Sequence, residues 1–358
     1  MTNFLLTGGG TAGHVNPLLT IASLLAERNQ SDKVFVLGTN AGLESRLVPE
    51  AGFPLLVIDR LPFPRTIGFR AVLFPFKFWK AVRKVKSYIK DHGIDVVVGF
   101  GGYVSAPAYW AARSMKKPLI LHEANALPGI ANRIGNRFAS AAGRAFESTD
   151  LAHSTFVGMP IRQQIVDLAS KKDQAKARKF FGLKPDSFTL LVTGGSLGAR
   201  SINQTIDQSR SLLSAAGIQV IQIVGGTSDL EEIAEPEFRR VRYLDQMHLA
   251  IEASDFAVSR AGAATVSEFS AVGLPALYIP YPVGNGEQRF NLQDVLSQGG
   301  ALTISDREFT LDYVRSTLIP ILSDSKQIAK MSEASKRSGV LDGSKRFISL
   351  IDEVLSRR

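Results

Sequence analysis

The sequence contains no cysteine, which excludes disulfides, thiolate metal sites and a cysteine nucleophile together. Asp-x-Asp spacing is also missing, so no obligatory divalent ion and no metal ligands are expected. The uncharged span 96–112 carries three glycines, a proline and a serine and falls short of a bilayer-crossing length. The opening MTNFLLTGGG lacks a basic n-region and turns glycine-rich at once, which reads as a first strand and not as a signal peptide. These absences lead us to expect a cytoplasmic protein without a transmembrane helix.

Acidic residues are absent from one stretch in particular: between residues 60 and 90 there are nine Lys and Arg and no Asp or Glu. Interleaved with them are Phe63, Ile67, Phe69, Leu73, Phe74, Phe76, Phe78 and Trp79. Aromatics beside cations, in a segment too short and too charged to cross a bilayer, suggest a surface lying on anionic lipid headgroups. Its expected contacts are Phe74, Lys77, Phe78, Trp79, Lys80, Arg83 and Lys84. A helix turning Val82, Val85, Tyr88 and Ile89 to a core explains part of the same pattern. No nucleic-acid motif accompanies the charge, so nucleic acid is not an expected partner. The excess is local: up to Arg162 there are 19 basic against 10 acidic residues, and beyond it 23 of each, so the first part carries the whole net charge of +9.

A chain of 358 residues with 45% hydrophobic residues and 31 glycines predicts a soluble α/β protein of two domains. The segment FVGMPIRQQI, punctuated by Gly158 and Pro160, marks the boundary, giving expected domains 1–161 and 162–340 and a last helix, 341–358, packing back on the first.

Each half opens with a strand running into a glycine-rich turn and a helix. In the first, GGGTAGH follows a strand at 4–7, and Gly8, Gly10 and Gly13 fit the GxGxxG spacing of a dinucleotide turn. A nicotinamide site also needs an acid near the end of its second strand, where this chain has Gly38, Thr39 and Asn40. The loop still suits a diphosphate at a helix N-terminus. His14, just after it, could cap or pack, but imidazole also titrates where a general base must. Another turn, GFGGYVSAP, has Gly101 and Gly102 for tight geometry and Ser105 as the expected cap of the next helix. In the second half, TGGSLGAR places Gly194, Gly195, Ser196 and Gly198 at a helix start, a second anion-binding turn.

From 257 to 291 the chain reads as a βαβ unit: the apolar runs FAV and ALYIP are short and bounded by Gly and Pro, with a helix between them. Gly262, Ala263 and Ala264 let a ligand approach the helix start, Thr265 and Ser267 add hydroxyls, and Glu268 can accept from a sugar diol. The loop PVGNGEQRFN then offers Glu287, Gln288 and Asn291 as mixed donors and acceptors. Taken singly, each reads first as a solvated polar residue of an ordinary helix-capping loop.

Together, SRAGAATVSEFSAVGLPALYIPYP and EQRFN resemble the donor-sugar signature of two-domain GT-B glycosyltransferases. Within them the chain is similar to the bacterial family that adds GlcNAc to lipid I to make lipid II, in blocks running from Gly8 to Asn291. The resemblance implies two Rossmann-like domains facing across a cleft. It also implies the donor UDP-GlcNAc, an undecaprenyl-diphosphate-linked MurNAc-pentapeptide acceptor and no cofactor. It leaves room for other cell-wall synthesis proteins as partners at the cytoplasmic membrane face. His14 matches the GGTxGH histidine as catalytic base, although Ala12 stands where the family usually has glycine. Gly9, Gly10, Gly102 and Tyr103 match the acceptor and diphosphate loop. Thr11, Ala12, Gly13, Asn125, Arg162, Ser196, Leu244, residues 263–268 including Val266, and Gln288 match donor-binding positions. HEANALPG departs from the family's HEQN block at Ala124 and Pro128, and His122 and Glu123 within it read as structural.

The implied reaction is direct displacement with inversion: His14 takes the proton of the acceptor 4-hydroxyl, and Ser196, Arg162 and the helix start stabilise departing UDP. No paired carboxylates of the glycosidase kind are evident. Alternatives are a transferase for another lipid or small-molecule acceptor, a UDP-sugar epimerase of the same fold, which has no use for the basic aromatic segment, and a noncatalytic sensor, which has none for His14.

Overall fold

The computed structural model describes residues 1–10, 12–61, 69–283 and 286–357, with the side chains of 12 and 69–72 outside that description. Thr11 and the Phe63 and Ile67 part of the basic segment therefore lie outside the described residues. The chain forms two compact units, Met1–Arg162 with Asp342–Arg358, and Gln163–Leu341.

Unit 1 is built on a seven-stranded sheet, β1 (Asn3–Thr7), β2 (Lys33–Gly38), β3 (Leu55–Val57), β4 (Val96–Gly99), β5 (Leu119–Glu123), β6 (Ala141–Arg144) and β7 (Thr155–Phe156). Its order is β3-β2-β1-β4-β5-β6-β7 and every pairing is parallel. β1, β4 and β5 are almost wholly buried because helices cover both faces, so they read as continuous apolar runs and not as alternating ones. One face packs on Val82, Val85 and Ile89 of the helix Phe69–Asp91 and on Ala108 and Tyr109 of the helix Ser105–Ser114. The other packs on Leu18, Ile21 and Leu25 of the helix Ala12–Arg28 and on Phe347 and Ile351 of the helix Gly343–Ser356.

Unit 2 carries β8 (Thr189–Thr193), β9 (Gln219–Ile223), β10 (Ile233–Glu235), β11 (Phe238–Val241), β12 (Phe256–Ser259), β13 (Ala276–Tyr278) and β14 (Ala301–Thr303). The order is β10-β11-β9-β8-β12-β13-β14, parallel throughout except for the edge hairpin β10–β11. The expected βαβ unit is β12, the helix Ala263–Val272 and β13, whose strands pair directly. After β8 the chain forms two helices in succession, Arg200–Gln208 and Arg210–Ala215. At Ser209 between them, the hydroxyl donates to the Thr205 carbonyl at 2.7 Å, the kind of back-bond that bends a helix.

In both sheets strand order reverses next to the first strand, between β1 and β4 and between β8 and β12. Ligands of doubly wound sheets bind outside the carboxyl ends at such switch points. The loops after those four strands are therefore the candidate site loops.

Candidate functional site

In unit 1 the turns after β1 and β4 lie against each other. A Cβ on Gly102 would stand 2.7 Å from the Gly9 carbonyl oxygen, and one on Gly10 would stand 3.2 Å from the Tyr103 ring. Gly10, Gly101 and Gly102 all have positive φ, at 91°, 87° and 84°, so glycine is required twice over here, for conformation and for space. His14, on the first turns of Ala12–Arg28, sets its Nε2 3.5 Å from where a Gly101 Cβ would be. A ring N–H of His14 donates to the Gly9 carbonyl, which leaves the other nitrogen as an acceptor, and burial holds its pKa below the usual histidine value. A neutral imidazole is the state a general base requires.

Ser105 does not cap its helix as expected. Val104 occupies the N-cap position without a side-chain bond, and Ser105 Oγ donates to the Gly101 carbonyl (2.6 Å) and lies 3.2 Å from that of Thr7, bringing the two turns together. Nor is Gly10 a free phosphate donor, because its N–H donates to Glu44 Oε2 at 3.0 Å. Glu44, missed in the sequence, sits fully buried beneath the turn.

The β5 loop is organised by Glu123, also buried. Its carboxylate accepts from the backbone N–H of Asn125 (2.9 Å) and Gly129 (3.0 Å) and from Asn132 Nδ2 (2.9 Å). Asn132 Oδ1 accepts from Tyr109 Oη, which in turn lies 3.3 Å from the Gly101 N–H. Asn125 is thus positioned by a carboxylate whose pKa burial raises, its hydrogen bonds opposing that rise. His122 Nε2 donates to the Gly158 carbonyl at 2.9 Å, and its ring lies 5.0 Å from Phe347. Burial pushes its pKa down to about 4. Because the unfolded chain takes up that proton near pH 6.5 and the folded one does not, stability is lost as pH falls from about 6.5 towards 4, by on the order of 3 kcal/mol. Melting temperatures measured across that window should fall for the wild type and fall less for His122→Gln.

In unit 2, the turn after β8 is held on the β9 loop: Gly226 N–H donates to the Ser196 carbonyl (3.2 Å) and Thr227 Oγ1 to that of Leu197 (2.8 Å). Gly195 and Gly198 have φ of 81° and 80°, and Ser196 stands partly exposed ahead of the helix Arg200–Gln208, whose N-cap Ala199 makes no side-chain cap. The first amides of that helix are therefore available to an anion. After β12, Gly262 likewise caps Ala263–Val272 without a side chain. Ala264, Thr265 and Ser267 are partly exposed, whereas Ala263 and Val266 point inward and offer a ligand only backbone. Glu268 lies on the second turn, 8% exposed.

Gln288 and Asn291 clip this loop. Gln288 Oε1 accepts from the N–H of Tyr281 (2.9 Å) and Ala261 (3.2 Å), and Asn291 Nδ2 donates to the Ala261 carbonyl (3.2 Å). Gln288 thus spends its amide oxygen on the loop backbone, and Asn291 is buried. Arg260, missed in the sequence, pairs with Asp306, donates to the Ile279 carbonyl (3.1 Å) and reaches Ser201 (3.2 Å), joining the β12 loop to the helix after β8. Leu244 is partly buried in the loop between β11 and the helix Met247–Ala253, and Arg162 is partly buried at the end of unit 1.

On the helix Phe69–Asp91, Lys77, Lys80, Arg83 and Lys84 are exposed, with Phe76 73% and Trp79 51% exposed. Phe74 and Phe78 are half-buried, and Phe78 packs on the core. The aromatic row continues on residues the sequence did not single out: Trp79 meets Trp110 at 6.1 Å, Trp110 meets Phe138 at 5.7 Å, and the Arg113 guanidinium lies over both of the latter. Among the described residues no helix is long and apolar enough to cross a membrane.

Residues 4–143 match the glycosyltransferase family 28 N-terminal domain and residues 189–347 its C-terminal domain. The chain is 51% identical to the UDP-N-acetylglucosamine–N-acetylmuramyl-(pentapeptide) pyrophosphoryl-undecaprenol N-acetylglucosamine transferase of Leifsonia xyli, over 99% of each chain. Its likeness to the enzyme of the same name from Streptomyces coelicolor is 40%, over 99% of this chain and 98% of the other. The crystal structure of Acinetobacter baumannii MurG superposes with a TM-score of 0.79 at 26% identity, covering 99% of this chain and 100% of that one. A UDP-N-acetylglucosamine 2-epimerase structure from Listeria monocytogenes, at 13% identity, 100% of this chain, 97% of that one and a TM-score of 0.70, shares the fold.

Proposed function

The chain belongs to glycosyltransferase family 28, and we propose that it moves GlcNAc from UDP-GlcNAc to the 4-hydroxyl of the MurNAc-pentapeptide carried by undecaprenyl-diphosphate lipid I, giving lipid II for peptidoglycan synthesis. The observation that carries this reading is the identity of about one half, end to end, with a relative bearing that activity in its name. The epimerase alternative rests on fold alone, since 13% identity supports no shared chemistry.

The roles follow from the groups available in each unit. Unit 2 holds the donor. The uncapped helix start after Ser196 and the Ser196 hydroxyl meet the diphosphate, with Arg162 as a further cation. The exposed amides at Gly262, the Thr265 and Ser267 hydroxyls and the Glu268 carboxylate meet the ribose and sugar, and Leu244 offers its backbone to the uracil. His14 of unit 1 takes the proton from the acceptor 4-hydroxyl, whose oxygen attacks the anomeric carbon as the bond to UDP breaks, inverting configuration. UDP leaves as an anion, so the chemistry needs a base and positive electrostatics and no covalent intermediate. The aromatic and basic face of Phe69–Asp91 docks the protein on the anionic inner face of the membrane, where the acceptor resides.

Incubating the pure protein with radiolabelled UDP-GlcNAc, with and without a lipid I analogue, tests the reading. Label should enter the lipid only when the analogue is present, and release of UDP or formation of an epimer without acceptor would overturn it. In the donor site, Glu268→Gln should weaken UDP-GlcNAc binding by about 10- to 100-fold, the loss of a charge-assisted hydrogen bond, with melting unchanged. An unaltered Kd by calorimetry would remove Glu268 from the site.

A further inference from the structure

Beneath the turn after β1 lies a carboxylate with no solvent exposure, and its surroundings are built around it. Glu44 opens the helix Glu44–Glu50, a few residues past the end of β2. Its Oε1 accepts from the Thr39 N–H (3.1 Å) and the Thr39 hydroxyl (2.8 Å), and its Oε2 from the Gly10 N–H (3.0 Å). Three glycines make the space: a Cβ on Gly42 would stand 2.0 Å from Oε2, one on Gly9 2.9 Å from Oε1, and one on Gly38 2.6 Å from Glu44 Cγ. A buried charge is tolerated only when hydrogen-bonded this fully, and a lone structural acid has no need to bind the one turn that carries the base.

We propose that Glu44 is a positioning residue of the transfer reaction: by gripping Gly10 it sets the carbonyl of Gly9 on which the His14 ring is oriented. The proposal rests on the reading of His14 as the base. The coupling is electrostatic, because Glu44 raises the proton affinity of His14 against the lowering effect of burial. Among the described residues the other ionisable groups around the turn are Tyr103 and Tyr109 from the β4 side, Glu123 behind Asn132, and Arg60, whose guanidinium stacks 5.7 Å from the Tyr103 ring centroid. Burial holds Tyr109 protonated, and Arg60 is a permanent cation. Of the two carboxylates, Glu44 is the one bonded to the Gly9–Gly10 peptide and the one whose charge acts on His14. The arrangement resembles the acid that orients a histidine in a hydrolase triad, with one peptide unit interposed.

The test is the pH profile of kcat/KM for the full-length enzyme with UDP-GlcNAc and a water-soluble lipid I analogue. The acidic limb reports protonation of the base. Removing the negative charge makes the ring easier to deprotonate, so in Glu44→Gln the limb should move to lower pH by about half to one unit, while turnover on the plateau falls about tenfold as the weaker base loses its orientation. Glu44→Asp keeps the charge but withdraws it, so it should fold where Gln does not and move the limb the same way by a smaller amount. A limb unmoved in whichever variants fold would overturn the proposal, leaving Glu44 a support of the loop. His14→Ala run alongside separates the two readings. If it retains turnover and the same limb, His14 is not the base; if it is inactive and the Glu44 limbs still do not move, only the role of Glu44 fails.

Discussion

His14→Ala should lower turnover by about two to four orders of magnitude, the usual contribution of a positioned general base, and leave donor affinity largely intact. The expectation follows from the division of roles. The ring hydrogen-bonds Gly9 and lies over Gly101, in the loops after β1 and β4 of unit 1, whereas Ser196 sits on the loop after β8, and Thr265 and Glu268 on the helix after β12, in unit 2. Neither of those elements loses a contact in the variant. Single-turnover kinetics with a soluble acceptor analogue, paired with calorimetry of UDP-GlcNAc binding, separates chemistry from binding. Near-normal turnover at neutral pH would place the base elsewhere.

Replacing Lys77, Lys80, Arg83 and Lys84 with Gln should release the protein from anionic vesicles. Each cation close to such a surface contributes on the order of 1 kcal/mol, so four account for a roughly thousandfold change in partitioning at low salt. Screening over about 8 Å at physiological ionic strength reduces the difference. All four are exposed, and Lys84 only lies over the neighbouring Tyr88 ring at 5.8 Å, so the fold should be unaffected and activity on a soluble analogue should persist. Lys80 also lies 3.9 Å from Asp59, an exposed pair of little energetic weight. Phe76 and Trp79 remain to insert, so residual binding independent of salt is expected. Sedimentation with phosphatidylserine vesicles decides the matter, and a quadruple variant that sediments like the wild type would reduce the cluster to a solvated face.

Much of the fold was readable because the strands are parallel and buried. FAV and ALYIP stand out as apolar runs between glycine and proline, and both became adjacent strands, β12 and β13. The glycine turns were equally visible, since positive φ at Gly101, Gly102, Gly195 and Gly198 admits few other residues. Side-chain roles were read less well. Ser105 looked like a cap and instead braces two loops. Gln288 and Asn291 looked like free sugar ligands, yet much of their hydrogen-bonding capacity is spent on the backbone of Ala261 and Tyr281. An acid was sought at residues 38–40, the place a nicotinamide site requires, while Glu44 lies further along the chain and turns back under the first loop. The aromatic row crosses from Trp79 to Trp110 and Phe138, residues too far apart in the chain for any local periodicity to connect.

By itself the sequence determined the elements, the two-fold recurrence of strand, glycine turn and helix, the exclusion of thiol chemistry, and the motifs that tie the chain to its family. These are local properties: backbone conformation, apolar period and residue type act within a few positions of one another. The tertiary structure alone decided that β4 lies beside β1 and β12 beside β8, and with them which loops share a site. That choice also decided which polar groups face a ligand and which are consumed in holding the loops. A hydrogen-bonding side chain has the same identity in either role, and only the partner brought within 3 Å by strand order tells the two apart.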